Sequence, residues 1–386
     1  MTATERLTAA IEPYRIQIAD SQLDDLRRRL RETRWPNQET VADWTQGVPL
    51  SYVKEVCGYW ADRYDWRRTE TRLNAIPQFK TTIGGLGIHF LHVESKHENA
   101  LPLVLTHGWP GSIIEFLKVI GPLSDPTAHG GSAADAFHVV VPALPGYGFS
   151  DAPTEKGWGV EKIATTWAEL MKRLGYEWYV AQGGDWGAAV TTDIAIQDTE
   201  HCHGIHLNMP TVGPDSSTMD SLTEREKDAL AGLKYYQDWD SGYSKEQSTR
   251  PQTVGYGLAD SPSGQAAWIL EKFWAWTDCN GHPENALTRD EMLDNIMLYW
   301  LPNAAASSAR LYWESFTRTR RDEITIPVGC SIFPKEIFRA SRRWAERRYK
   351  NLVYWNELDK GGHFAAFEQP EVFVDEVRKC FRNVRA

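Results

Sequence analysis

Leu101 to Leu105, Phe137 to Val141 and Tyr179 to Ala181 are short, continuously apolar runs, and the helical stretches Ile113 to Leu123 and Val160 to Leu174 lie between them. Strands apolar on both faces and separated by helices pack as parallel neighbours joined by crossovers, so this alternation predicts an α/β sheet covered by helices on both sides. Gly204 to Leu207 adds a strand before Pro210. The pattern then stops until Val328 to Ile332, helix Phe338 to Lys350, strand Leu352 to Asn356 and a last helix, Pro370 to Arg382. Between Pro210 and about Thr319 the chain has polar turns and Trp-bearing helical pieces, such as Ala266 to Thr277 and Met292 to Trp300. An inserted helical cap is the expected reading of that gap.

The first 77 residues read as a helical extension. Ser21 with Asp24 predicts a capping-box-like start for a helix whose seam is Leu23, Leu26 and Leu30. Asp24/Arg28 and Asp25/Arg29 stand one turn apart, which makes Arg27-Arg28-Arg29 a solvated helix face rather than a nucleic-acid patch. A second helix begins at Ser51, with Val53, Val56, Cys57 and Trp60 on one side. Phe79 to Ile83 and Leu86 to Val93 are extended runs separated by Gly84-Gly85, a dipeptide suited to a tight hairpin. The expected segments are therefore extension 1–77, first core part 78–209, cap 210–319 and second core part 320–386.

Charge and composition narrow the partners. With 42 Lys+Arg against 52 Asp+Glu the net charge is -10, which opposes binding to nucleic acid or to an anionic membrane surface. No apolar run approaches the roughly 18 residues of a membrane span, and Met1 to Ala10 has no basic segment leading into an apolar one, so the expected location is cytoplasmic. The 5 cysteines are scattered with no C-x-x-C pair and read as buried free thiols. The 17 tryptophans are an excess that points to a roomy aromatic pocket.

Gly183-Gly184-Asp185-Trp186-Gly187 lies between a strand and the small-residue start of a helix, and has the G-x-nucleophile-x-G form. Its glycines permit a turn so tight that side chains would strike the neighbouring strand and helix, while the central residue is thrust above the sheet. Taken alone, it is also an ordinary Gly-rich strand-to-helix turn. Its central residue is Asp, a nucleophile suited to displacement at sp3 carbon because the product is an ordinary ester. Gly361-Gly362-His363-Phe364 follows the last strand, where a histidine would complete the order nucleophile, acid, histidine. The acid is expected after Val328 to Ile332, where Glu336 stands; Asp359, four residues before His363, is its rival. His107-Gly108-Trp109-Pro110 follows Leu101 to Leu105, the place of an oxyanion-hole amide. Pro110 cannot donate, which leaves Trp109, with the Trp186 amide as second donor.

On these residues the chain resembles an epoxide hydrolase of the microsomal type, within the α/β-hydrolase superfamily. The resemblance covers nearly the whole length: Ile11 to Pro36, His107-Gly108-Trp109-Pro110-Gly111-Ser112, the segment around Asp185, Thr253-Val254-Gly255 with Asp260-Ser261-Pro262, Met297 to Trp300, and Gly361 to Glu368. It implies an α/β-hydrolase fold with a cap and an N-terminal extension, and two cap tyrosines over the nucleophile, which by their neighbours fall on Tyr243 and Tyr312. It also implies a soluble relative, since the membrane anchor of the mammalian members is lacking. The implied reaction is attack of Asp185 on an epoxide while Tyr243 and Tyr312 hold the ring oxygen, then hydrolysis of the ester by water activated by His363 with Glu336. No metal and no organic cofactor is expected, and the expected partner is a small epoxide, apolar or aromatic, with a homodimer as the assembly.

Two alternatives stay open at this point. A haloalkane or haloacid dehalogenase uses the same Asp–His chemistry but releases a halide that needs no proton, and a non-catalytic relative would keep only the pocket. Trp239, Trp268, Trp274, Trp276, Trp300 and Trp313 serve equally to line a pocket or to pack the cap on the sheet. His201, His203 and His206 carry metal-ligand chemistry, but strand alternation puts His206 on the opposite face, so no zinc site is expected.

Overall fold

The computed structural model describes residues 10–316 and 322–385. Its sheet has 9 strands, in the spatial order β1 (Ile11–Pro13), β2 (Gln78–Ile83), β3 (Leu86–Val93), β5 (Phe137–Pro142), β4 (Leu101–Thr106), β6 (Tyr179–Gly183), β7 (Cys202–Leu207), β8 (Val328–Ile332) and β9 (Leu352–Glu357). The junctions β1–β2, β2–β3 and β3–β5 are antiparallel; every junction from β5 through to β9 is parallel. Gly84 and Gly85, at φ +60° and +82°, turn the β2–β3 hairpin, with Ile83 opposite Leu86. Every residue of β4 and β6 is buried, as continuous apolar strands at the centre of a sheet covered on both faces require.

Helices α1 (Asp20–Arg31), α2 (Leu50–Asp62) and α3 (Trp66–Asn74) form the N-terminal extension, and α4 (Val160–Arg173) packs with α5 (Trp186–Gln197) on the sheet. Between β7 and β8 the described residues contain no strand; the chain runs through α6 (Glu224–Tyr235), a π-helical turn at Tyr236–Asp240, α7 (Gly242–Thr249), α8 (Pro251–Asp260), α9 (Pro262–Trp276), α10 (Arg289–Trp300) and α11 (Ala305–Ser315). The expected cap boundary at 319/320 lies outside the described residues. Helix α12 (Pro370–Phe381) ends the fold. None of the helices among the described residues is long and apolar enough to cross a membrane.

Four sequence expectations are corrected. Helix α1 starts at Asp20 with Ala19 as its cap, Gln22 Oε1 accepting from the Ala19 amide, so Ser21 and Asp24 do not form the box. Asp24 pairs with Arg27 rather than Arg28, which bridges Asp25 and Glu32. The stretch Ile113 to Leu123 is divided into a 3-10 turn, Ile113–Phe116, and a short helix, Ile120–Ser124. Pro122 explains the break, because proline fits only the first turn of a helix and so begins a new one. Only Arg342–Ala345 of the expected helix Phe338 to Lys350 is α-helical. The amide of Lys350 and the carbonyl of Arg348 bond instead to Ile324, drawing the backbone straight.

The extension braces the cap. Trp44 stacks on Trp274 of α9 at 5.1 Å and 11°. Tyr52, Tyr59 and Tyr64 donate to Glu284, Asp290 and Asp294, and Asp294, whose side chain is only 4% exposed, also accepts from Thr69 and Arg68 of α3. Replacing Asp294 by Ala leaves the buried donors unpaired and is expected to cost about 2–4 kcal/mol in urea unfolding, with Asp294→Asn losing less. Loss of under about 0.5 kcal/mol, the range of ordinary surface substitutions, would contradict a bracing role.

Candidate active site

The turn from β6 into α5 holds Asp185 at φ +52°, ψ -130°, a region unfavourable to a residue with a side chain. Such strain costs about 1–3 kcal/mol and persists only where the surroundings enforce it. Here the enforcement is close packing. A Cβ on Gly183 would lie 2.1 Å from the Gly187 carbonyl oxygen, and one on Gly187 would lie 1.9 Å from that of Thr106 at the end of β4. Gly184 differs from the sequence expectation: a Cβ there meets nothing closer than 3.7 Å, so space does not demand glycine.

Both Asp185 oxygens have partners. The Trp109 amide donates to Oδ1 at 2.8 Å, an approach open because a Cβ on Gly108 would fall 2.1 Å from that oxygen. Oδ2 lies 3.3 Å from Nε2 of His363. The other ring nitrogen, Nδ1, is 2.7 Å from Glu336 Oε1, which also accepts from the Ile337 amide. The His363 and Glu336 side chains are 2% and 1% exposed. Lys335 bridges Gly362, setting the loop after β8 beside the loop after β9, while the His363 amide donates to the Trp276 carbonyl from the cap. Asp359 is exposed on the surface.

Two phenols converge from above. Tyr243, on α7, lies flat against the Trp109 ring at 4.8 Å and 10°. Tyr312, on α11, stands edge-on to Trp186 at 4.8 Å and to Tyr243 at 5.8 Å. The Tyr243 hydroxyl shares a hydrogen bond with that of Tyr236 at 3.1 Å, whereas the buried Tyr312 hydroxyl has no hydrogen-bond partner among the described residues. Burial raises both phenols well above the ordinary value of 10; neighbouring phenols add to this at Tyr243, and the Asp185 charge adds to it at Tyr312. Both are therefore proton donors at neutral pH. Trp186 opens α5 directly after Asp185, and the Trp109 amide is the donor to its carboxylate.

Three further residues complete the setting and were not singled out from sequence. Tyr236 stands seven residues before Tyr243 but on the π-helical turn rather than on α7, and no helical spacing pairs their hydroxyls. Lys272 and Asp240 form an ion pair at 2.7 Å with the lysine side chain 2% exposed; Lys272 Nζ sits 4.6 Å over the Tyr243 ring, and Asp240 accepts from the Trp276 indole. No pattern in the chain joins residues 32 apart on separate helices. Among the described residues no group of His, Cys, Asp and Glu is arranged to hold a metal ion. His201 pairs with Asp198, and His206 is buried against Ser331.

Burial alone would lower the His363 value, but Glu336 and Asp185 outweigh it and hold the imidazole well above 6.5. A raised histidine stabilises the fold below its unfolded value, near 6.5, and this contribution is lost as pH rises through the folded value. Glu336→Gln is expected to release the His363 proton at lower pH, read from imidazole NMR. An unmoved titration would show that Glu336 does not act on His363.

The chain is similar to known proteins over nearly its whole length. The model of the epoxide hydrolase N terminus matches residues 11–116, and that of the alpha/beta hydrolase fold matches residues 102–259. A Stigmatella aurantiaca protein bearing the provisional name of an epoxide hydrolase is 60% identical over 97% of this chain and 86% of its own length. Epoxide hydrolase 1 of Sus scrofa is 36% identical over 96% of this chain and 88% of its own. The crystal structure of juvenile hormone epoxide hydrolase from Bombyx mori superposes with a TM-score of 0.91 at 31% identity, covering 99% of this chain and 96% of that one. The Aspergillus niger epoxide hydrolase structure gives 0.89 at 33%, with 98% of each chain covered.

Proposed function

Because the chain belongs to the epoxide hydrolase family of the α/β-hydrolase fold, we propose that its site converts an epoxide to a vicinal diol through an ester on Asp185. The observation that carries this reading is the placement of two buried, protonated phenols opposite a carboxylate nucleophile. The alkoxide of a three-membered ring is too basic to leave unaided, and a phenol donor answers that need. A halide leaving group needs no proton, so a dehalogenase would have no use for Tyr243 and Tyr312.

The proposed reaction has two steps. Asp185 Oδ2 attacks an epoxide carbon; the ring C–O bond breaks, its electron pair passes to the oxygen held by Tyr243 and Tyr312, and that oxygen takes a proton from one of the phenols, leaving a phenolate. In the ester the Asp185 charge is gone, which removes one of the two carboxylates that hold His363 protonated. The His363 proton then passes, through solvent, to the phenolate, and the imidazole, oriented by Glu336, is free to act as base for the second step. Water adds to the Asp185 carbonyl carbon, His363 Nε2 takes its proton, and the Trp109 amide holds the oxyanion at Oδ1. Collapse expels the diol oxygen, which takes the proton back, and the proton left on the Asp185 carboxyl passes to His363, restoring the resting ion pair. The rings of Trp109, Trp186 and Trp276 around the phenols support an apolar or aromatic epoxide as substrate.

Tyr243→Phe combined with Tyr312→Phe is expected to lower epoxide turnover by about two orders of magnitude or more. Diol formation at the wild-type rate would remove the phenols from the mechanism. His363→Gln, exposed to a panel of aliphatic and aromatic epoxides, is expected to gain the mass of one whole epoxide, mapped to Asp185. Adducts on another residue would overturn the assignment of the nucleophile.

A further inference from the structure

Asp185 and His363 share a cavity of about 20 Å³ whose wall also carries Glu115, Gln182 and Asn208. That volume accepts about one water molecule, provided the walls offer two or more polar partners. They do. Gln182, 1% exposed on β6, has its Oε1 buried with no hydrogen-bond partner, its amide nitrogen being engaged with Asn208 at 3.3 Å. Glu115 belongs to the 3-10 turn that follows the Trp109 loop, and its carboxyl reaches back over Gly111, where a Cβ would fall 1.5 Å from Oε1.

The bland explanation of Glu115 is a capping box: Ser112 Oγ accepts from the Ile114 amide, and the Glu115 carboxylate accepts from the Ser112 amide. That use occupies one carboxyl lone pair and leaves the rest of the group on the cavity wall. A surface capping box has no reason to be enclosed with a nucleophile and its base. We propose that Glu115 and Gln182 hold the hydrolytic water, presenting its oxygen to the Asp185 carbonyl carbon and its proton to His363 Nε2. The inference rests on the ester mechanism proposed above and adds the placement of the second-step nucleophile.

The electrostatics agree with the geometry. Burial pushes the Glu115 carboxyl up to about 8; the His363 charge opposes this, the Asp185 and Glu368 charges add to it, and the Ser112 amide opposes it. Tyr299 faces it from α10, its hydroxyl bonded to the Gly111 carbonyl. A neutral carboxyl donates one hydrogen bond and accepts another, so it orients a water without adding a negative charge beside the developing oxyanion.

The test separates the two chemical steps by rapid mixing with an epoxide that forms the adduct in His363→Gln, then quenching and measuring intact mass. In Glu115→Ala, ester formation should stay within about threefold of wild type while ester decay falls about tenfold to a hundredfold. Glu115→Gln keeps the bond to the Ser112 amide and a polar group on the water, and should recover most of the decay rate. Decay at the wild-type rate in Glu115→Ala, or equal loss in both steps, would overturn the proposal. If Glu115→Ala fails to fold, the decay of wild type and Glu115→Gln is compared across pH: an inflection present in wild type and absent from the Gln variant supports the proposal, and superimposable profiles overturn it. Absence of any adduct in His363→Gln would instead sink the ester mechanism itself.

Discussion

The site depends on one backbone constraint, the positive φ of Asp185 at the crest of the β6–α5 turn. At that angle the carboxylate stands clear of the sheet and faces the Trp109 amide on one side and His363 on the other. The conformation is unfavourable by itself and is held by contact. Gly187 presses on the end of β4, Gly183 on Gly187, and Gly108 admits the Trp109 amide to Oδ1. Any side chain at these three glycines would move the nucleophile before it affected anything else.

The sheet supplies half a site, and the cap supplies the other half. Tyr243 and Tyr312 come from separate helices, and their rings are fixed by Trp109 and Trp186, which flank the motifs they face. Behind them the Lys272–Asp240 pair ties α9 to the π-helical turn and holds the Trp276 indole, whose own backbone carbonyl receives the His363 amide. Lys272 also reaches Glu271 at 2.9 Å, so the lysine is held between two carboxylates while Asp240 divides its oxygens between Lys272 and the Trp276 indole. The extension bears on the cap from outside, through Trp44 against Trp274 of α9 and through Tyr64, which donates to Asp294 of α10. Extension, cap and core thus converge on the position of two hydroxyl groups.

Charge is arranged so that each group changes state when its neighbour does. Glu336 and Asp185 flank one imidazole, and the proposed ester removes one of those charges at the moment a base is required. Glu115 lies within the same enclosure, its carboxyl raised by burial, so a third negative charge does not compete. Such coupling needs groups that are close and shielded from solvent, where interactions are several times stronger than in water.

Much of this was legible in the chain. The alternation of buried strands and helices, Gly84-Gly85, the elbow around Asp185 and the loop His107 to Pro110 are local patterns, and local backbone rules link such patterns to structure. The order Asp185, Glu336, His363 is likewise written in sequence. The choice between Glu336 and Asp359 was open there because both lie near the right loops; the bridge from Lys335 to Gly362 turns one inward, while the other stays at the surface. Tyr243 and Tyr312 were reached through family resemblance, not through chemistry, since nothing distinguishes them among 15 tyrosines until two helices cross over Asp185. The helix expected over Phe338 to Lys350 fails at its end for the same reason, Arg348 and Lys350 being bonded to Ile324. Glu115 and Gln182 are 67 residues apart and meet at one cavity. Sequence determines what is local, the turns, the strand and helix periods and the nucleophile's setting. Only folding decides which distant groups share an enclosure, because enclosure is a property of packing rather than of spacing.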